Sequence, residues 1–92
     1  MDYTYYVVKA TNTDGQEGYV SEWHQGIFGG YEVVSNLLDA DRHDSLEMLL
    51  PILKEINKRS KLGIYHLIPN TFKIVTVKAT LTEIEEEEIE LT

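Results

Sequence analysis

A small α+β fold, one helix packed on one face of an antiparallel sheet in the order β-β-(β)-α-β-β, is predicted by three observations. Only one stretch, Asp44 to Gly63, carries a helical period: Leu46, Leu49, Leu50, Leu53 and Ile56 recur at offsets of three and four and form one apolar stripe. The segments on either side, Tyr3 to Thr11 and Phe72 to Leu81, are rich in β-branched and aromatic residues, as strands are. A chain of 92 residues, 42% hydrophobic and 26% charged, has the length and composition of one folded domain.

Taken in order, Tyr3 to Thr11 forms the first strand, Asn12-Thr13-Asp14-Gly15 supplies turn chemistry, and Glu17 to Trp23 returns as the second strand of a hairpin. Alternation points Tyr6, Val8 and Ala10 to one face and Tyr3, Tyr5, Val7 and Lys9 to the other. With the helix over the first group, Tyr3, Tyr5 and Trp23 gather with Tyr19 on the second face, either as a partner-binding surface or as cross-strand aromatic pairs. His24 to Gly30, HQGIFGG, reads as a glycine-rich loop. It is no phosphate loop, because it lacks the Gly-Lys-Ser/Thr ending and the dinucleotide glycine spacing. Tyr31 to Ser35 makes a short third strand, and Asn36 to His43 leads into the helix.

The helix is marked at both ends. Asp44 followed by Glu47 is a capping-box arrangement, Lys58, Arg59 and Lys61 sit where the helix dipole favours cations, and Gly63 can close the last turn. Pro51 opposes it, since an interior proline removes a backbone hydrogen bond at a cost of about 3 kcal/mol, and it predicts a kink. Met48 and Ile52 fall off the main stripe, under a flanking loop or against another chain. Beyond Gly63, Ile64 to Ile68 reads as a strand, Pro69-Asn70 as a turn and Phe72 to Leu81 as a long strand, together a second hairpin. The tetrapeptide VKAT occurs at Val8 to Thr11 and at Val77 to Thr80. The shared phase makes the two strands candidate neighbours with the same packing requirement.

Catalytic and metal chemistry find no support in the spacing. The absence of cysteine excludes disulfides and thiol chemistry. Asp39, Asp41 and Asp44 do not make a calcium loop, because, counting Asp39 as the first position, Asp44 stands sixth, where glycine is needed, and Leu50 twelfth, where the closing glutamate is needed. His24, His43 and His66 fit no zinc spacing, and no nucleophile, base and orienting group are grouped. The expectation is therefore a non-enzymatic protein without metal or cofactor. The cations Lys54, Lys58, Arg59 and Lys61 lack an interleaved aromatic platform, which argues against direct nucleic-acid binding. The longest apolar run, Met48 to Leu53, is far short of the roughly 20 residues of a membrane helix, and the start MDYTYYVV has no signal-peptide pattern. A cytoplasmic location is expected.

The net charge of −8 is unevenly placed. Residues 83–92 hold six glutamates and no base, which leaves −2 on residues 1–82. This divides the chain into a domain at 1–82 and an acidic C-terminal segment at 83–92. Such a run is either a solubilising tail or a competitor for a basic surface on a partner that handles nucleic acid. In the second case Glu83, Glu85, Glu86, Glu87, Glu88 and Glu90 steer the chain toward that surface and occupy phosphate positions.

The succession YYVVKAT, a glycine-containing turn, GYVSEW, SNLLDA before a helix, and FKIVTVKAT resembles small uncharacterised proteins of phages and prophages of Gram-positive bacteria, over Tyr5 to Thr80. The resemblance implies a small, non-enzymatic accessory protein that binds a host component; with the acidic segment, the expectation is an inhibitor that occludes a nucleic-acid-handling defence enzyme. A self-associating assembly module, a homodimer through Met48 and Ile52 or through the tyrosine face, is the alternative.

Overall fold

The computed structural model describes residues 1–82 and 84–90. Strands Asp2–Thr11 (β1), Glu17–Gln25 (β2), Phe28–Val34 (β3) and Lys73–Thr80 (β4) form an antiparallel sheet in the order β3-β2-β1-β4. A 3-10 turn at Leu37–Asp39 and one helix, Leu46–Lys61 (α1), lie between β3 and β4. The α+β class is the one the sequence predicts.

β1 is the centre of the sheet. It pairs with β4 from Asp2↔Thr80 to Lys9↔Lys73, but with β2 only from Lys9↔Tyr19 to Thr11↔Glu17. The chain itself fills the remaining gap. Tyr6 and His43 exchange backbone bonds of 2.8 and 2.9 Å, and the Asp41 amide donates to the Val20 carbonyl at 3.2 Å. The Asp41 carboxylate accepts from the Glu22 amide at 2.8 Å. Between the 3-10 turn and α1 the chain therefore passes through the sheet from one face to the other. On one side Leu37 and Ala40 pack with Tyr5 and Val7; on the other, Leu49 and Ile56 of α1 pack with Val8, Ala10, Val20 and Leu67. The sheet is thus covered on both faces near its middle, where sequence alternation predicts a single covered face.

The helix runs without a break through Pro51 to Lys61, and its buried positions are Leu49, Ile56 and Ser60. Its N-cap is Ser45, not Asp44: Ser45 is extended, and its hydroxyl accepts from the Met48 amide at 3.4 Å. Asp44 lies one residue too early to reach the free amides. The C-terminal end closes as predicted. Gly63, at φ +73°, donates to Ser60 and Ile64 donates to Arg59, the paired bonds of a glycine-terminated helix.

Three expectations about strands need correction. Ile64 to Ile68 is not a strand, so no second hairpin forms. Its amides and carbonyls serve the end of β1 instead, with Ile68 donating to Thr11 at 2.8 Å and Thr13 donating to His66 at 3.0 Å, while Leu67 plugs the core. Pro69 and Asn70 then turn the chain, and Asn57 of α1 holds that turn by accepting from the Asn70 amide at 2.8 Å and donating to its side chain at 3.2 Å. The third strand starts at Phe28 rather than Tyr31, because most of HQGIFGG belongs to strands. The two VKAT copies are in neighbouring strands, but Val8 faces α1 and Val77 faces away, opposite Tyr5. Antiparallel register puts directly paired residues on one face, so the shared tetrapeptide does not share a packing role.

Candidate partner-binding surface

Strand direction decides what emerges at each end of the sheet. β1 starts and β4 finishes at one end, where Met1 and Leu81 exchange backbone bonds of 2.7 and 2.8 Å. β2 runs antiparallel to β1, so the β2–β3 turn projects from that same end. Both the hairpin tip and the C-terminal segment leave the fold there.

The tip is built tightly. Gln25 pairs with Phe28, which leaves Gly26-Ile27 as a two-residue turn, and Gly26 takes the positive φ of +62° that such hairpin turns need. Trp23 pairs with Gly30, and a Cβ on Gly30 would stand 3.3–3.4 Å from the indole. His24 lies equally close over Gly29, where a Cβ would meet its Nδ1 at 2.9 Å. A side chain at either position would crowd the neighbouring ring, so the two glycines make room for Trp23 and His24. Alternation places Phe28 on the Trp23 face. Ile27 is 95%, Phe28 69% and Trp23 40% exposed. The His24 Nε2 lies 2.8 Å from the Glu22 carboxylate. Between residues 10 and 41 there is no lysine or arginine, while Asp14, Glu17, Glu22, Glu32, Asp39 and Asp41 all carry acid.

Nearer the helix, Tyr31 meets Tyr65 edge to face at 5.2 Å, and burial, then the Glu22 carboxylate, raises the Tyr31 phenol above its ordinary pKa. Arg59 donates to Glu55 at 3.0 Å and to the Tyr65 hydroxyl at 3.4 Å. A cavity of about 80 Å³ beneath Tyr31, lined also by Asp41, His43 and Leu49, has room for little more than water. Among the described residues no group of three His, Cys, Asp or Glu is placed to hold a metal ion. No helix among them is long and apolar enough to cross a membrane.

The residues singled out in sequence do not form one surface. Tyr5 is only 4% exposed, beneath the Arg42 guanidinium at 4.9 Å and stacked on a half-buried Tyr3 at 5.7 Å. Tyr5 therefore supports the fold rather than meeting a partner. Trp23 is separated from both by the threaded segment and belongs with the tip. Glu85, Glu86, Glu87, Glu88 and Glu90 are exposed, in a segment without regular secondary structure; Glu83 lies outside the described residues. On α1, Met48 and Ile52 are exposed. Sequence reasoning missed Ile27 and Phe28. The signal was there: two alternating runs separated by Gly-Ile mark a hairpin tip. No protein-family model, curated protein or solved structure matches this chain.

Proposed function

We propose that the chain is a small cytoplasmic accessory protein of a phage or prophage of Gram-positive bacteria. It acts without catalysis, by binding a host protein at a basic surface that otherwise holds nucleic acid, and so inhibits a defence enzyme. The observation that carries this reading is the C-terminal segment. Glu85, Glu86, Glu87, Glu88 and Glu90 are exposed, have no base among them, and enter none of the ion pairs between described residues. In extended chain successive side chains alternate sides, so the run presents carboxylates on both of its faces. Lysines and arginines arrayed for phosphates therefore meet a line of negative charge, and the attraction weakens with salt as it does for nucleic acid.

The test compares the full chain with a chain ending at Thr82 as baits in a nuclease-treated Gram-positive lysate. The expected result is a nucleic-acid-handling protein held by the full chain, released by added DNA or RNA and by salt, and not held by the shortened chain. Equal retention by both baits removes the tail mechanism. A second reading, self-association, is favoured by Met48, 72% exposed on α1, with Ile52 beside it one helical turn on. Light scattering at high concentration decides it: a monomer removes it.

A further inference from the structure

We propose that the β2–β3 hairpin tip is the apolar anchor of that same interface, with Ile27 and Phe28, backed by Trp23, entering an apolar pocket with a basic rim on the host protein. This rests on the reading above and names a second part of it. Tight interfaces concentrate their energy in a few aromatic and aliphatic anchors that are rigid before binding. The tip has that rigidity. Its turn has two residues, and its strands are paired to the last position before the turn.

Charge selects the partner's chemistry. Glu22 and Glu32 are the acids on the tip half of β2 and β3, and no lysine or arginine falls between residues 10 and 41, so a pocket rimmed by cations attracts the hairpin. The same charge argues against an anionic membrane, where inserting loops carry basic residues beside their aromatics. It also argues against a second copy, whose hairpin has the same sign. Position joins the tip to the tail. β3 and β2 on one side and β4 on the other are separated by β1 and the threaded segment, about three strand spacings or 15 Å. Both features therefore fit within one standard interface patch of about 800 Å² on each partner.

The experiment places the photoreactive residue benzoylphenylalanine at position 28 in one full-length chain and at position 88 in another. Each is irradiated in the nuclease-treated lysate, and the linked peptides are sequenced. The expected result is one host protein linked from both positions, with position 28 joined to an apolar peptide flanked by lysine or arginine. Links from position 88 to a host protein, with position 28 joined only to lipid, to another copy of the chain, or to nothing, overturn the anchor and leave the tail reading standing. A link from position 28 to such a pocket with none from position 88 supports the anchor and removes the tail. No link from either overturns both. As a second check, Phe28→Ser and Ile27→Ser should each lower capture at least tenfold with an unchanged far-ultraviolet circular dichroism spectrum. Because Trp23 is the sole tryptophan, its emission should shift to the blue when the identified protein is added to the unsubstituted chain. Undiminished capture by both variants overturns the anchor.

Discussion

At the end of the sheet where β1 turns into β2, the end of β1 is tied down by side chains and by the segment 66–68, whereas at the opposite end the hairpin tip carries Ile27 and Phe28 at 95% and 69% exposure. At the first end Asn12 accepts from the amides of Asp14 and Gln16 at 3.1 and 2.9 Å, Leu67 is buried beneath the turn, and Asn57 clasps Asn70. At the other end Ile27 and Phe28 make the hairpin tip, and Ile84 is exposed in the C-terminal segment. The hydrogen-bonded ladder of β2 and β3 is complete to Gln25↔Phe28, so the tip is well formed without burying its side chains. The difference teaches that Leu67 at one end answers to the core, while Ile27 and Phe28 at the other do not. An apolar residue that stays in water adds little to stability, and where such residues adjoin, as Ile27 and Phe28 do, they mark a surface for interaction.

The comparison predicts a graded response to substitution, measured by urea unfolding. The largest effect belongs to Leu49, fully buried between α1 and the sheet against Val8 and Val20. Leu49→Ala should lose about 2–5 kcal/mol, the range for emptying a leucine site in a well-packed core. A loss under 1 kcal/mol would mean that the helix is not seated on the sheet as described. Next comes Gly18 at the tied end. A Cβ there would stand 2.5 Å from the Val34 carbonyl oxygen and 2.6 Å from Val33 Cγ1. Backbone cannot move aside without breaking the β2–β3 register, so Gly18→Ala should lose about 1–3 kcal/mol, as overpacked sites do. If Gly18→Ala is neutral, the tied end is looser than its geometry and the contrast weakens.

How much of this was legible in sequence depends on whether the determining interaction was local. The helix was readable because Leu49, Leu53 and Ile56 repeat within one segment, and Gly63 ends it by its own backbone freedom. The first hairpin was readable from Asn12 to Gly15 for the same reason. The crossing at Asp41 to His43 was not readable: Tyr6 and Val20, its partners, are distant in sequence, and nothing about DADRHD announces that it will stand between them. That crossing is also why Tyr5 is buried, since it brings Leu37 and Ala40 over a face that alternation alone leaves open. Ile64 to Ile68 failed for a related reason. Its composition suits a strand, but Pro69 and the left-handed Asn70, at φ 64°, end it before a ladder can form. In the candidate site, the acidic run was visible as composition, while the exposure of Ile27 and Phe28 required knowing that glycine was shaping strands rather than a loop.

The smallest predicted effect bears most directly on function. Phe28→Ser and Ile27→Ser remove large apolar side chains from a β-strand and its turn, which by composition alone would be expected to destabilise. With most of each side chain already in water, little area is returned to solvent on unfolding, and the change should stay within about 0.5 kcal/mol, as for surface sites away from special contacts. Trp23 reports on the same point without substitution: its emission in the free protein should lie toward the red and be readily quenched by iodide or acrylamide. A loss above about 1.5 kcal/mol in either variant, or a blue, protected tryptophan, would show the tip folded onto the body. The apolar residues there would then belong to the core, and the distinction between the two ends would disappear. A neutral result leaves a rigid, acidic arm with an aromatic end that the fold does not use, beside the acidic segment leaving the same end of the sheet.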